Sequence, residues 1–95
     1  MLSKSKDMKL NYEFSLQEIA DKYVAVAKNP VTESVERVFN LNETGALILQ
    51  ALQDGKEVSA VVDLLLSQYD VGTEEAEAEV NAFVDMLTEN GLASR

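Results

Sequence analysis

From Glu13 onward apolar and polar residues alternate, with Phe14 and Leu16 on one side and Ser15 and Gln17 on the other, until Ile19 breaks the parity. A period of two is the mark of a half-buried strand, and the break predicts a bulge at its end. Ala20, Asp21 and Lys22 turn the chain, and the β-forming run from Tyr23 to Ala27 predicts a second strand, so the pair makes a hairpin. Lys28-Asn29-Pro30 ends it. A third extended stretch covers 35–41, with Val35, Arg37, Phe39 and Leu41 facing one way and Glu36, Val38 and Asn40 the other. Its short length predicts an edge strand.

After Asn42 the period lengthens to about 3.6 residues, that of a helix. A first helix over 46–53 carries Leu47, Ile48, Leu49, Ala51 and Leu52, and Asp54-Gly55 stops it. A second over 57–69 places Val58, Val61, Val62, Leu65 and Tyr69 on one face, with Leu64 and Leu66 widening the stripe. The third starts at Thr73, with Glu74 and Glu75 in its first turn, although Ala76 stands where a full capping box needs an acidic partner. Ala76, Val80, Phe83, Val84 and Leu87 form its apolar face, Asn90-Gly91 ends it, and Leu92 and Ala93 add a short closing segment. Three strands followed by three helices predict an α+β fold, with the helices gathered on one face of a small antiparallel sheet. Residues 1–12 read as a frayed polar tail, and 13–95 as one domain.

Charge narrows the function. The 95 residues carry a net charge of −9, and between Asn42 and Ser94 eleven acidic residues face one basic residue, Lys56, a local balance of −10. Nucleic-acid affinity comes largely from Lys and Arg contacts that release counterions, so such a surface repels phosphate backbones. Three helices in this order suit a winged helix-turn-helix, yet the third carries Glu74, Glu75, Glu77, Glu79, Asp85 and Glu89 and no basic residue, which excludes DNA as its ligand. A polypeptide is the natural alternative.

Chemistry is sparse. Cysteine and histidine are absent, which removes thiol nucleophiles, imidazole bases and the usual zinc sites. Ser59 and Ser67 have no base at a recognisable spacing, and neither lies in the Asp-Ser-Leu setting at which carrier domains hold their prosthetic arm. Glu74, Glu75, Glu77 and Glu79 lack the spacing of a calcium loop around a sixth-position glycine and read as a solvated acidic face. The tetrad Asn42-Glu43-Thr44-Gly45 has no Lys or Arg for an anion; Asn42 reads as a helix N-cap, and Glu43 suits the positive end of the helix dipole. No stretch has the apolar length of a membrane span and no secretory leader is evident, so the expectation is a cytoplasmic protein that is not an enzyme and needs no cofactor or metal.

Phe39-Asn40-Leu41-Asn42-Glu43-Thr44-Gly45-Ala46, the Tyr69-Asp70-Val71 break, and the helix with Val80-Asn81-Ala82-Phe83-Val84 ending at Gly91-Leu92 resemble the PqqD family, the pyrroloquinoline quinone biosynthesis protein D group. The resemblance spans 14–92, and LNETGA is its most specific part. It implies a winged-helix-like peptide chaperone that binds the leader of a ribosomally made precursor as an added strand. The chaperone presents it to a modifying enzyme, often a radical S-adenosylmethionine maturase. By position, Val35, Glu36, Arg37, Val38, Phe39 and Asn40 would form the pairing strand. Val80, Phe83, Val84 and Leu87 would be central to the facing wall, with Ala82 and Met86 on one flank. An exposed strand edge provides the backbone groups such binding needs, and it equally permits a homodimer through that edge or a domain swap. The alternative function is a regulatory interaction domain that keeps the fold without delivering a peptide.

Overall fold

The computed structural model describes residues 9–94. Its elements run β1 (Lys9–Leu10), β2 (Glu13–Ile19), β3 (Lys22–Lys28), β4 (Val35–Leu41), α1 (Glu43–Gln53), α2 (Val58–Gln68), α3 (Thr73–Glu89) and β5 (Ala93–Ser94). The sheet order β2-β3-β4 is antiparallel throughout, so both β2 and β4 are edges, and the α+β reading holds.

The sheet meets the helices through size complementarity. Ala25 and Ala27 of the central strand are fully buried and small. Phe14, opposite Ala27, and Phe39, opposite Ala25, therefore reach across them and meet edge to face at 6.2 Å. Beneath this layer Ile48 and Leu49 of α1, Val61 and Leu65 of α2, and Val80, Val84 and Leu87 of α3 are almost without exposure. These are the stripes the helical period picks out, now closed into one core.

Several boundaries differ from expectation. Ile19 pairs in register with Lys22, so it carries no bulge; it is an exposed hairpin end, and the turn is Ala20-Asp21. The irregularity lies between β3 and β4, where Ala27 pairs with Arg37 and Lys28 with Val35, leaving Glu36 as the extra residue. Strict alternation in β4 thus holds from Arg37 to Leu41 and fails at Val35. The α3 N-cap is Gly72 rather than Thr73, which is the first helical residue and makes no side-chain cap bond. Gly55 and Gly91 take the positive φ that ends α1 and α3.

Residues 9–12, read from the sequence as part of a frayed tail, make defined contacts. Lys9 and Leu10 pair with Ser94 and Ala93, and the Asn11 N–H donates to the Leu92 carbonyl at 2.9 Å. Tyr12 packs edge to face on Phe14. Residues 1–8 and 95 lie outside the described residues.

Candidate functional site

The two sheet edges are not equivalent. Gln53, at the last turn of α1, accepts the Phe14 N–H at 2.6 Å and donates its amide to the Phe14 carbonyl at 2.6 Å. A side-chain amide thus pairs with the outer edge of β2 as a neighbouring strand would, and blocks it there.

The same pair of bonds sets which backbone groups are free on β4. Since the Phe14 N–H and C=O point away from β3, Phe14 and Ala27 form a non-hydrogen-bonded pair of the antiparallel ladder. Such pairs alternate with hydrogen-bonded ones. The backbone groups of Tyr23, Ala25 and Ala27 therefore turn toward β4, and their partners Leu41, Phe39 and Arg37 bond inward. Val38 and Asn40 are left with N–H and C=O groups on the outer edge, two residues apart as an incoming strand requires.

A cavity of about 360 Å³ adjoins the Asn40 end of that edge, lined by Asn40, Leu41, Asn42, Gly45, Ile48, Glu79, Ala82, Phe83 and Met86. Its floor is apolar and its far wall is α3. Through Glu79 it adjoins a smaller cavity of about 170 Å³ that includes Thr44, Tyr69, Val71 and Glu75. At the other end of β4, the Arg37 guanidinium donates to the Asn90 carbonyl at 3.0 Å, a cation on the last carbonyls of α3 that ties strand to helix.

Gly45 explains the spacing of the tetrad. Asn42 caps α1 by accepting the Gly45 N–H at 2.7 Å. A Cβ at residue 45 would stand 3.1 Å from Asn42 Oδ1, 3.3 Å from the Phe83 ring and 3.5 Å from Leu41. Glycine inside a helix costs about 1 kcal/mol relative to alanine. Here it lets the start of α1 approach Phe83 of α3 while the cap stays formed.

The expected site residues divide into three sets. Asn40, Ala82, Phe83 and Met86 line the cavity. Val35, Glu36, Arg37 and Val38 lie exposed along β4, while Phe39 turns inward, half-buried against Phe14. Val80, Val84 and Leu87 are core residues of at most 2% exposure, so they position the α3 wall and present no surface of their own. Leu41, Asn42, Gly45, Ile48 and Glu79 also line the cavity and were not among the expected set. For Leu41, Asn42 and Gly45 the LNETGA junction was the signal, because a helix glycine beside a cap marks a close approach.

Among the described residues the resolved pKa shifts fall on two tyrosines. Burial, and then the hydrogen bond its hydroxyl donates to Glu43 at 3.2 Å, raise the Tyr69 pKa above 10.0. Glu18 foremost, followed by burial and the charges of Glu43 and Asp21, raises that of Tyr23. A phenol with a raised pKa is even less ionised at neutral pH, so neither tyrosine supplies a phenolate there. Among the described residues no three acidic side chains converge as a metal site, and no helix is long and apolar enough to cross a membrane.

The profile of the family described as Coenzyme PQQ synthesis protein D (PqqD) matches residues 26–93. The chain belongs to the PqqD family. The match covers β4, all three helices and both cavities beside α3. Among solved structures, a lasso peptide synthetase B1 complexed with the leader peptide is 31% identical, with a TM-score of 0.71 over 95% of this chain and 100% of that one. TbiB1 in complex with the TbiA(beta) leader peptide shares the fold at 23% identity and a TM-score of 0.69, over 90% of this chain and 94% of that one. No curated protein matches the chain. The PqqD fold here is the winged-helix-like arrangement of a three-stranded sheet followed by three helices.

Proposed function

We infer that this PqqD-family protein is a peptide chaperone. It binds the leader of a ribosomally made precursor peptide as a fourth strand on β4 and hands it to a modifying enzyme. The observation that carries the reading is the free β4 edge at Val38 and Asn40 beside an apolar cavity, in a chain 31% identical to a protein solved with a leader peptide. Strand pairing supplies affinity through the backbone, and alternate leader side chains entering the cavity over Ile48, Phe83 and Met86 supply selectivity. Glu79 in the cavity wall and Glu75 in the adjoining cavity favour a leader with Lys or Arg flanking the paired segment.

In this reading the protein is a binding partner and the chemistry belongs to the enzyme it serves. The solved relative is a lasso peptide synthetase component, which favours lasso-type processing over a radical S-adenosylmethionine maturase. The chaperone acts in the cytoplasm, where the precursor is synthesised. A second copy pairing through β4 would occupy the same edge, so homodimer and leader complex exclude one another.

The test is an amide-shift titration of the labelled chain with the precursor peptide encoded beside its gene. Shifts are expected at Val38, Asn40, Gly45, Ala82, Phe83 and Met86. Shifts confined to α2, or none, would remove the reading in favour of an interaction domain without peptide delivery.

A further inference from the structure

A groove of about 480 Å³ lies on the other flank of α3, between it and α2. Its floor is Val58, Val62 and Leu66, spaced i, i+4 and i+8 along α2 beside the core line of Val61 and Leu65. Val61 and Leu65 are sealed and Val62 is buried with them, while Val58 and Leu66 pack against that core and stay half-buried, leaving apolar surface open in the groove. Carboxylates of Glu57, Asp63 and Glu77 rim the groove, and among the described residues no lysine or arginine lines it. Lys56, the lone basic residue between Asn42 and Ser94, is outside the lining. Among the described residues none of the three carboxylates is held in an ion pair.

Resting on the chaperone reading, we propose that this groove docks a cationic amphipathic segment of the peptide-modifying enzyme. Its apolar side chains sit on Val58, Val62 and Leu66, and its Lys or Arg residues meet Glu57, Asp63 and Glu77. Charge selects this occupant. A second copy would bring its own −10 helical half against the same carboxylates, and a nucleic acid would be repelled. The leader has a separate place: Glu77 and Asn81 line the α2 side of α3, while Ala82, Phe83 and Met86 line the β4 side. Enzyme and leader thus occupy opposite flanks of one helix and bind together. The chaperone presents the leader across the width of α3.

The experiment uses the whole chain with Asp63→Lys and Glu77→Lys together; both positions are exposed, so the fold is retained. Binding is measured to the modifying enzyme encoded beside the gene, to short overlapping synthetic peptides covering that enzyme, and separately to the leader. Enzyme affinity should fall about tenfold or more, because each reversal places like charges together. Leader affinity should hold, and the peptides that bind wild type should be those combining apolar residues with Lys or Arg. Glu57→Lys alone should weaken the enzyme in the same direction. Unchanged enzyme affinity in the double variant would overturn the proposal. So would enzyme-induced amide shifts on the outer sheet face at Val26 and Val38, or a wild-type dimer that the reversal dissociates. If the enzyme binds wild type and loses the double variant while the leader never binds, the docking groove stands and the chaperone reading falls.

Discussion

Proline at Val38 and proline at Phe39 should have opposite consequences, although the residues are adjacent. The Val38 N–H points outward, and its side chain is 61% exposed, so Val38→Pro removes no ladder bond and little burial. Its cost is the adjustment of φ toward about −65°, around 1 kcal/mol, or a Tm lower by about 4–8 °C for a domain of this size. Phe39 bonds inward to Ala25. Phe39→Pro leaves the Ala25 carbonyl unpaired, about 1–3 kcal/mol, and removes the edge-to-face contact with Phe14, about 1 kcal/mol. The sum of about 2–4 kcal/mol lowers Tm by at least about 10 °C. Leader binding reverses the order. Val38→Pro deletes one intermolecular bond, about 1 kcal/mol or fivefold, and puts the pyrrolidine ring where the leader carbonyl must approach, so the total loss exceeds about tenfold. Thermal melts and fluorescence anisotropy with a labelled leader measure the two effects. If Val38→Pro binds leader like wild type, or unfolds as Phe39→Pro does, the assignment of outward groups on β4 is wrong.

Three further outcomes are expected. Gln53→Ala removes both bonds to Phe14 and should destabilise by about 1–3 kcal/mol in denaturant titration. It also opens the β2 edge, so sedimentation should reveal concentration-dependent association absent from wild type. In Gly45→Ala the helix-propensity gain of about 1 kcal/mol is offset by crowding at Asn42 and Phe83, so Tm should stay close to wild type while the leader binds several-fold more weakly; unchanged affinity would free Gly45 of any role in the groove. Tyr69 holds its proton more tightly folded than unfolded, so its contribution is complete below pH 10.0 and is lost as pH rises through the higher folded pKa. Stability should therefore fall less steeply above pH 10.0 in Tyr69→Phe than in wild type, read by chemical denaturation across that range.

What was legible in the sequence was what a local period encodes. β4 spans Val35 to Leu41 as expected, its alternation holding from Arg37 on, and Asn42 caps α1 because an N-cap is written in adjacent residues. Long-range pairings were not legible. Lys9–Leu10 joins Ala93–Ser94 across nearly the whole chain, and two-residue strands have no period to read. Gln53 gives no sign, in a helix of otherwise ordinary composition, that it completes the edge of β2. On α3 the apolar stripe merges two roles. Val80, Val84 and Leu87 serve the core, while Phe83 and Met86 line a groove, and hydrophobicity alone cannot separate them because both faces exclude water.

Residue-resolved amide hydrogen exchange, with and without leader, tests the central claim most directly. In the free protein the Val38 and Asn40 amides should exchange quickly, while those of Arg37, Phe39 and Leu41 are protected by β3. Leader at saturation should protect Val38 and Asn40 and leave Leu16 and Glu18 on the opposite edge unchanged. Protection appearing at Leu16 and Glu18, or at no strand amide, would contradict strand addition at β4.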